Sequence, residues 1–181
     1  VTNTLVTVAG TGAAGSGGDG GQATAALLYS PSAVAVDASG NLYIADTMNH
    51  RVRKVDATTG IITNVAGTGQ ARYSGDDGPA VSAAINEPTG LAVSDEALYI
   101  ADQSNNRVRR VDLATGVITT VAGDGTAAYS GDQVSAVQAS LAGPSGVALG
   151  GDGVVYVADT FNSRIRSVDP ATGQIATVAG D

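Results

Sequence analysis

The chain has 181 residues, of which 43% are hydrophobic and 14% charged, a balance too apolar for a disordered protein. Its 17 acidic and 9 basic residues give a formal net charge of −8, which disfavours binding to nucleic acid. No stretch is long and apolar enough for a membrane span, and the first residues lack the pattern of a secretory signal peptide. Without cysteine there is no disulfide framework and no thiolate metal site or nucleophile.

The first predicted element is an outer strand at Leu5–Ala9, which ends in the Val-Ala-Gly triplet of residues 8–10. The triplet recurs at 65–67, 121–123 and 178–180. A second motif, Tyr-Ile/Val-Ala-Asp, occurs at 43–46, 99–102 and 156–159, with spacings of 99 − 43 = 56 and 156 − 99 = 57 residues. A sustained period of this length indicates a repeat architecture.

A glycine-rich segment follows the first strand and contains Asp19. It recurs around Asp76 and Asp132, so these aspartates are the calcium candidates, because hard cations prefer carboxylate and carbonyl oxygens. The spacing lacks the EF-hand pattern, and Asp-Gly turns usually cap loops. We therefore expect no cofactor, with calcium as the alternative. The Gly-Thr-Gly runs precede polar segments and no helix, so they do not predict a phosphate site.

Four strand-length segments then follow Pro31, at Ala33–Asp37, Leu42–Asp46, Arg51–Asp56 and Ile61–Ala66. Short turns between them predict antiparallel pairing. Apolar and polar residues alternate only weakly, which is typical of strands buried on both faces. The pattern predicts an all-β fold, a β-propeller of four-stranded antiparallel blades. The one helix-compatible stretch, around residues 81–85, is too short to matter.

The repeat core resembles the NHL-repeat propellers, through Pro31–Asp37, Asn41–Asp46 and the Asp-x-x-Asn-x-Arg turn at residues 46–51. The resemblance covers three repeats and implies one NHL-like unit over residues 1–181, of a bacterial type with long inserts. Its expected parts are an extra outer strand at 1–10 and blades at 31–67, 88–123 and 144–180. The inserts, typified by residues 67–87, make the period longer than a usual blade of roughly 40–45 residues.

Three blades fall below the usual 4–8 of a closed propeller. We therefore expect a homodimer with a six-bladed ring, the alternative being a chain cut from a longer array. The sequence predicts four outer strands but three sets of inner strands, so one outer strand is surplus. We expect Leu5–Ala9 to exchange into the last blade of the partner chain, in competition with the C-terminal copy at Ile175–Ala179.

The inserts and the turns between second and third strands are expected on one face, which is the predicted binding face. Its candidate residues are Met48, Asn49, His50, Gln103, Asn106, Phe161 and Asn162. The repeated Asp and Arg residues are expected to be structural, because they recur in every blade. They are Asp46, Arg51, Asp102, Arg107, Asp159 and Arg164, and eight of the nine basic residues lie on third strands.

No catalytic residue is predicted, and the single histidine, His50, is expected in a solvated turn. The favoured function is a non-enzymatic module that binds a protein, peptide or glycan, for which the resemblance implies an extracellular or cell-surface location. The first alternative is a metal-dependent hydrolase or lyase of the six-bladed type. The resemblance implies that the related peptide-amidating lyases use a metal site with histidines, and the single His50 argues against carrying that site over. The second alternative is a purely structural repeat assembly.

Overall fold

The computed structural model describes residues 4–181 and consists of strands joined by turns and short 3-10 helices. The first blade contains β1 (Ala33–Val36), β2 (Leu42–Asp46), β3 (Arg51–Val55) and β4 (Ile62–Ala66). These four strands form an antiparallel sheet in chain order. Each predicted strand of this blade is confirmed to within one residue.

The second and third blades repeat this arrangement and carry one further strand each. The second sheet contains β5 (Gly78–Pro79), β6 (Pro88–Val93), β7 (Ala97–Asp102), β8 (Arg107–Asp112) and β9 (Val117–Ala122). The third contains β10 (Val134–Ser135), β11 (Pro144–Leu149), β12 (Val155–Asp159), β13 (Arg164–Val168) and β14 (Gln174–Ala179). The predicted all-β fold with three antiparallel sheets is confirmed.

The additional strands come from the inserts and lie at the outer edge of the blade that follows each insert. β5 pairs antiparallel with β9, and β10 pairs antiparallel with β14. In the first blade a single bridge between Gln22 and Ile61 occupies the same place. Each insert is therefore part of the blade it precedes, and it also covers an edge that would otherwise expose unpaired backbone groups.

Two of the three buried hydrophobic clusters lie between neighbouring sheets, and the third lies between the first blade and its own insert. Tyr43, Ala45 and Val52 of the first blade share one buried cluster with Leu98 and Ile100 of the second. Where β6 meets β11, glycines allow a close approach: a Cβ on Gly90 would lie 2.7 Å from the Cα of Gly146. Sheet-on-sheet packing of this kind explains why the strands alternate so weakly in sequence.

The helical segments within residues 4–181 are six 3-10 helices of three residues each. Three lie in the inserts, including Ala80–Ser82, and three begin directly after a second strand, as at Thr47–Asn49. Over the same residues, no helix has the length and apolar character required to cross a bilayer.

The two terminal segments differ in structure, although their sequences match the same outer-strand position. β14 pairs with β13 and closes the third blade within its own chain, and Ile175 is fully buried. Leu5–Ala9 forms no strand, and Leu5 is 100% exposed. In the single chain Leu5–Ala9 has no third strand beside it, so its predicted pairing in a partner chain stays a prediction. Residues 1–3 of the predicted segment 1–10 lie outside the described residues.

Candidate binding face

Each second strand ends in a buried aspartate that organises the following turn. Asp46 accepts a 2.7 Å hydrogen bond from the backbone N–H of Tyr29 and a 2.8 Å bond from the side-chain amide of Asn49. The same bonds recur at Asp102 with Asn86 and Asn105, and at Asp159 with Ala142 and Asn162. Because Tyr29 and its equivalents belong to the inserts, the inserts and turns lie on one face, as expected.

A fully buried arginine on each third strand pairs with this aspartate. Arg109 Nη1 lies 3.3 Å from Asp102 Oδ2, and Arg109 Nη2 contacts Asp76 in the insert. The other blades repeat both ion pairs, with Arg53 between Asp46 and Asp19, and Arg166 between Asp159 and Asp132. Each guanidinium group thus joins a turn to its insert through charge-assisted hydrogen bonds.

The arginine that pairs with each turn aspartate is not the arginine of the Asp-x-x-Asn-x-Arg motif. In the described part of the chain, Arg51, Arg107 and Arg164 make no ion pair with the turn aspartates; the arginine two residues later does so in each blade. The earlier arginines donate hydrogen bonds to backbone carbonyl oxygens, and Arg51 also lies 3.7 Å from the carboxylate of Asp19 in the insert. Arg107, for example, donates a 2.6 Å hydrogen bond to the carbonyl oxygen of Asp124 in the next insert. The two arginines of a third strand differ in burial, since the later one is fully buried and the earlier one is partly exposed. The motif alone does not reveal this difference.

Tyrosines of the inserts cover these arginines in two blades. The Tyr73 ring centroid lies 3.8 Å from the Arg107 guanidinium carbon and 4.9 Å from that of Arg109, within the range of cation–π contacts. Tyr129 covers Arg164 and Arg166 in the same way. The sequence analysis missed both tyrosines, although the repeated Tyr-Ser-Gly-Asp at 73–76 and 129–132 was an available signal.

The three calcium candidates are the aspartates that face the buried arginines. Burial acts to raise the pKa of Asp76, but hydrogen bonds from Tyr73 and Thr120 and the charge of Arg109 outweigh it and hold that pKa below its usual value. The pKa of Asp132 is lowered similarly, with Thr177 and Arg166 overcoming burial. Within residues 4–181, no three carboxylate, histidine or cysteine side chains are grouped to hold a metal ion. These carboxylates serve the ion pairs of the fold.

The residue that ends each turn is left-handed, and in the first two blades it also makes contact with the next insert. His50, with φ 51°, accepts a 3.1 Å hydrogen bond at Nδ1 from the backbone N–H of Glu87. Asn106, with φ 53°, does the same through Oδ1 with the N–H of Gly143, at 3.0 Å. His50 is therefore an acceptor between two blades, whereas the sequence suggested a solvated turn residue.

Replacing His50 tests this contact. We expect His50→Asn to preserve the thermal unfolding midpoint, because Asn106 makes the equivalent bond in the second blade. His50→Ala should lower the unfolding free energy by about 1 kcal/mol through loss of the acceptor. Differential scanning calorimetry of both variants measures the effect, and equal midpoints for the two would contradict the proposed contact.

Few of the predicted face residues have free side chains. Asn49 and Asn162 bind the turn aspartate and an insert carbonyl, and His50 and Asn106 bind the next insert. Gln103 is only partly exposed. Met48 and Phe161 remain available, at 40% and 75% exposure, and they occupy equivalent positions in the first and third blades. Ser104 holds the same position in the second blade.

The sequence comparisons agree with this architecture. A model described as the teneurin NHL domain matches residues 6–74, and a model described as the NHL repeat matches residues 141–166. The chain is 28% identical over 190 residues to Protein SUPPRESSOR OF QUENCHING 1, chloroplastic, of Arabidopsis thaliana, covering 99% of this chain and 18% of that protein. It is 33% identical over 179 residues to teneurin-3 of Danio rerio, covering 90% and 6%. The chain thus spans less than a fifth of either relative.

Solved structures show the same fold at lower identity. A structural genomics protein of unknown function from Bacteroides thetaiotaomicron superposes with a TM-score of 0.61 and 23% identity, over 83% of this chain and 36% of that one. A streptogramin B lyase superposes with a TM-score of 0.53 and 16% identity, over 81% and 39%. At these identities the similarity supports the fold alone.

Proposed function

Because this chain is built of NHL repeats folded as propeller blades, we propose that it is a non-enzymatic scaffold that binds a protein, peptide or glycan through the turn face. That face consists of the turns at residues 46–51, 102–107 and 159–164 and the inserts packed against them. The Met and Phe side chains it exposes favour an apolar segment of a protein partner, since such side chains act as anchors in interfaces.

One observation carries this proposal: equivalent positions on closely similar turns present different side chains, and two of them, Met48 and Phe161, are large, apolar and exposed. Met48, Ser104 and Phe161 each follow the first residue of a 3-10 helix. The residues ending these turns have φ values of 51°, 53° and 55°, so the three backbones agree closely. Packing therefore fixes the turn and leaves this position free to determine what is bound.

Panning a displayed random peptide library against the purified chain tests the proposal. Selected peptides should bind at least about tenfold more weakly to a Met48→Ser/Phe161→Ser variant, as expected when anchor side chains are removed. Val36→Ser is the matched control, because Val36 is 59% exposed and lies at the end of β1 opposite the turn face. Equal binding to all three proteins would contradict a peptide-binding role for the turn face.

We propose no catalytic residue. A hydrolase or lyase centred on the ring would need carboxylates and histidines from the first strands, whereas β1, β6 and β11 contain only Ala, Val, Leu, Gly, Pro, Ser and Thr. Assays of lactone and ester hydrolysis, with and without added divalent metal, should show no turnover above buffer. Turnover abolished by a single substitution would overturn the non-enzymatic assignment.

We also propose that the scaffold is a homodimer, because three blades fall below the number that closes a propeller. Two copies would supply 3 + 3 = 6 blades.

A further inference from the structure

The back face of the third blade, formed by Ala158, Ile165 and Ala179, is apolar and uncovered in the described chain. Ile165 is 40% exposed, and the two alanines are also accessible. The equivalent residues of the first two blades are all 0% exposed: Ala45, Val52, Ala66, Ala101, Val108 and Ala122. The residue types match, so what the third blade lacks is a neighbour.

The first two blades show what such a neighbour supplies. Ile85, from the insert before the second blade, is buried in the cluster that contains Val52 and Ala66. Leu141, from the next insert, is buried in the cluster that contains Val108 and Ala122. In each case an aliphatic residue of the following insert covers the back of the preceding blade.

The front face of the first blade, formed by Leu28, Pro31 and Val34, has the matching residues, and within residues 4–181 no blade lies against it. Leu28 is the equivalent of Ile85 and Leu141, but it is only partly buried. Pro31 is exposed and Val34 is 62% exposed. Their equivalents in the second blade, Pro88 and Leu91, are buried. The three described blades thus leave two uncovered surfaces that repeat the two halves of the interface between blades.

Polar groups at the back face are also arranged as they are between blades. At the first interface the Thr47 hydroxyl donates a 2.8 Å hydrogen bond to the carbonyl oxygen of Pro88 and contacts the Ser32 hydroxyl. On the third blade Thr160 makes the same contact with Ser145. The carbonyl of Pro31 is the equivalent acceptor, so a second copy would provide it.

One steric conflict accompanies this match. A Cβ on Gly67, between the first two blades, would lie 3.0 Å from both Arg51 Cα and Ile85 Cγ1. A Cβ on Gly180 would lie 3.0 Å from Arg164 Cα, which is the equivalent of Arg51 Cα. A Cβ on Gly10 would lie 3.4 Å from Leu28 Cδ1, and Leu28 is the equivalent of Ile85. In a docked pair, Gly10 of one copy and Gly180 of the other would occupy the same position, the one that Gly67 holds between the first two blades.

We infer that the back face of the third blade binds the front face of the first blade of a second copy. In this pair, β14 of the first copy displaces residues 4–9 of the second. This inference rests on the proposed homodimer and is independent of the proposed ligand. β14 is held by the β13 ladder, by β10 on its other side and by a 2.9 Å hydrogen bond from Thr177 to Asp132. Residues 4–9 belong to no ladder, so their displacement breaks no strand pairing.

Sedimentation velocity over a concentration series tests the docking. The full chain should reach twice its 17.7 kDa mass. Ile165→Glu should raise the dimer dissociation constant more than about 30-fold, because it places a charge in a desolvated contact. Val81→Glu is the matched control, since Val81 is 49% exposed and lies away from both end faces, and it should leave the constant unchanged. Circular dichroism confirms that both variants fold.

Deleting residues 1–9 tests whether residues 4–9 or β14 is displaced in the dimer. We expect an unchanged or lower dissociation constant, because the deletion removes the competitor of β14. Weaker association would show instead that Leu5 and Thr7 replace Ile175 and Thr177 by exchange, which would overturn the assignment of the displaced strand. A monomeric full chain, polymers that grow with concentration, or an Ile165→Glu variant that dimerises normally would overturn the docking. None of these results depends on peptide binding to the turn face.

Discussion

Arg109→Ala should lower the free energy of unfolding by about 3–5 kcal/mol, the range found when one partner of a buried ion pair is removed. The Asp102 carboxylate is fully buried, and burial raises its pKa despite the hydrogen bonds of Asn105 and Asn86 and the charge of Arg109. Without the guanidinium group it would remain out of water with no counter-charge, and Asp76 would lose its link to the third strand. Urea unfolding followed by circular dichroism measures the loss.

Arg107→Ala is the matched control, because Arg107 lies two residues away on the same strand and is partly exposed. It stacks on Tyr73 and donates to two carbonyl oxygens, so its loss should cost about 1 kcal/mol. Equal losses for the two variants would contradict the assignment of Arg109 as the buried partner. The same pair of variants separates the role of the ion-paired arginine from that of the arginine in the Asp-x-x-Asn-x-Arg motif.

Gly123→Ala should cost about 3 kcal/mol or more, since backbone strain and overpacking each contribute on the order of 1–3 kcal/mol. Gly123 has φ +93°, and a Cβ there would collide with the Asn106 carbonyl oxygen and lie 2.9 Å from Arg107 Cα. Both obstacles are backbone atoms of the turn beside it, so they cannot move aside as a flexible side chain would. Thermal unfolding of the purified variant gives the cost.

Gly10→Ala isolates the contribution of the backbone angle. Gly10 has nearly the same φ, +92°, but the nearest atom to a Cβ is Leu28 Cδ1 at 3.4 Å. We expect a loss of about 1 kcal/mol, from the strained angle alone. If both alanine variants lose equal stability, the close packing of Gly123 against the turn is not what requires glycine there.

The strands were predictable because each repeat marks them by local signals. Turn residues such as Gly40 and Gly60, which adopt φ +83° and +69°, separate segments whose length and composition are typical of strands. β5 and β10 were not predictable. Gly78–Pro79 and Val134–Ser135 have no strand composition of their own and pair only because each insert runs along the next blade.

The candidate site was predictable only in outline. That turns and inserts share a face follows from antiparallel topology, and the contacts of Asn49 and its equivalents confirm it. Which arginine is buried could not be read from the motif, because Arg51 and Arg53 stand two residues apart and so point to the same side of the strand. Nor does the sequence distinguish the two terminal segments: both match the outer-strand position, but only the C-terminal one has a third strand beside it in its own chain.

The docking of the first blade on the third is tested most directly by site-specific cross-linking, because the chain contains no cysteine of its own. A Leu28→Cys chain and an Ile165→Cys chain are mixed, allowed to exchange subunits and treated with a short bismaleimide linker. Pairing of the two end faces predicts a covalent species of twice the chain mass in the mixture and only traces of it with either variant alone. Absence of that species from the mixture, or efficient cross-linking of either variant with itself, would contradict the pairing.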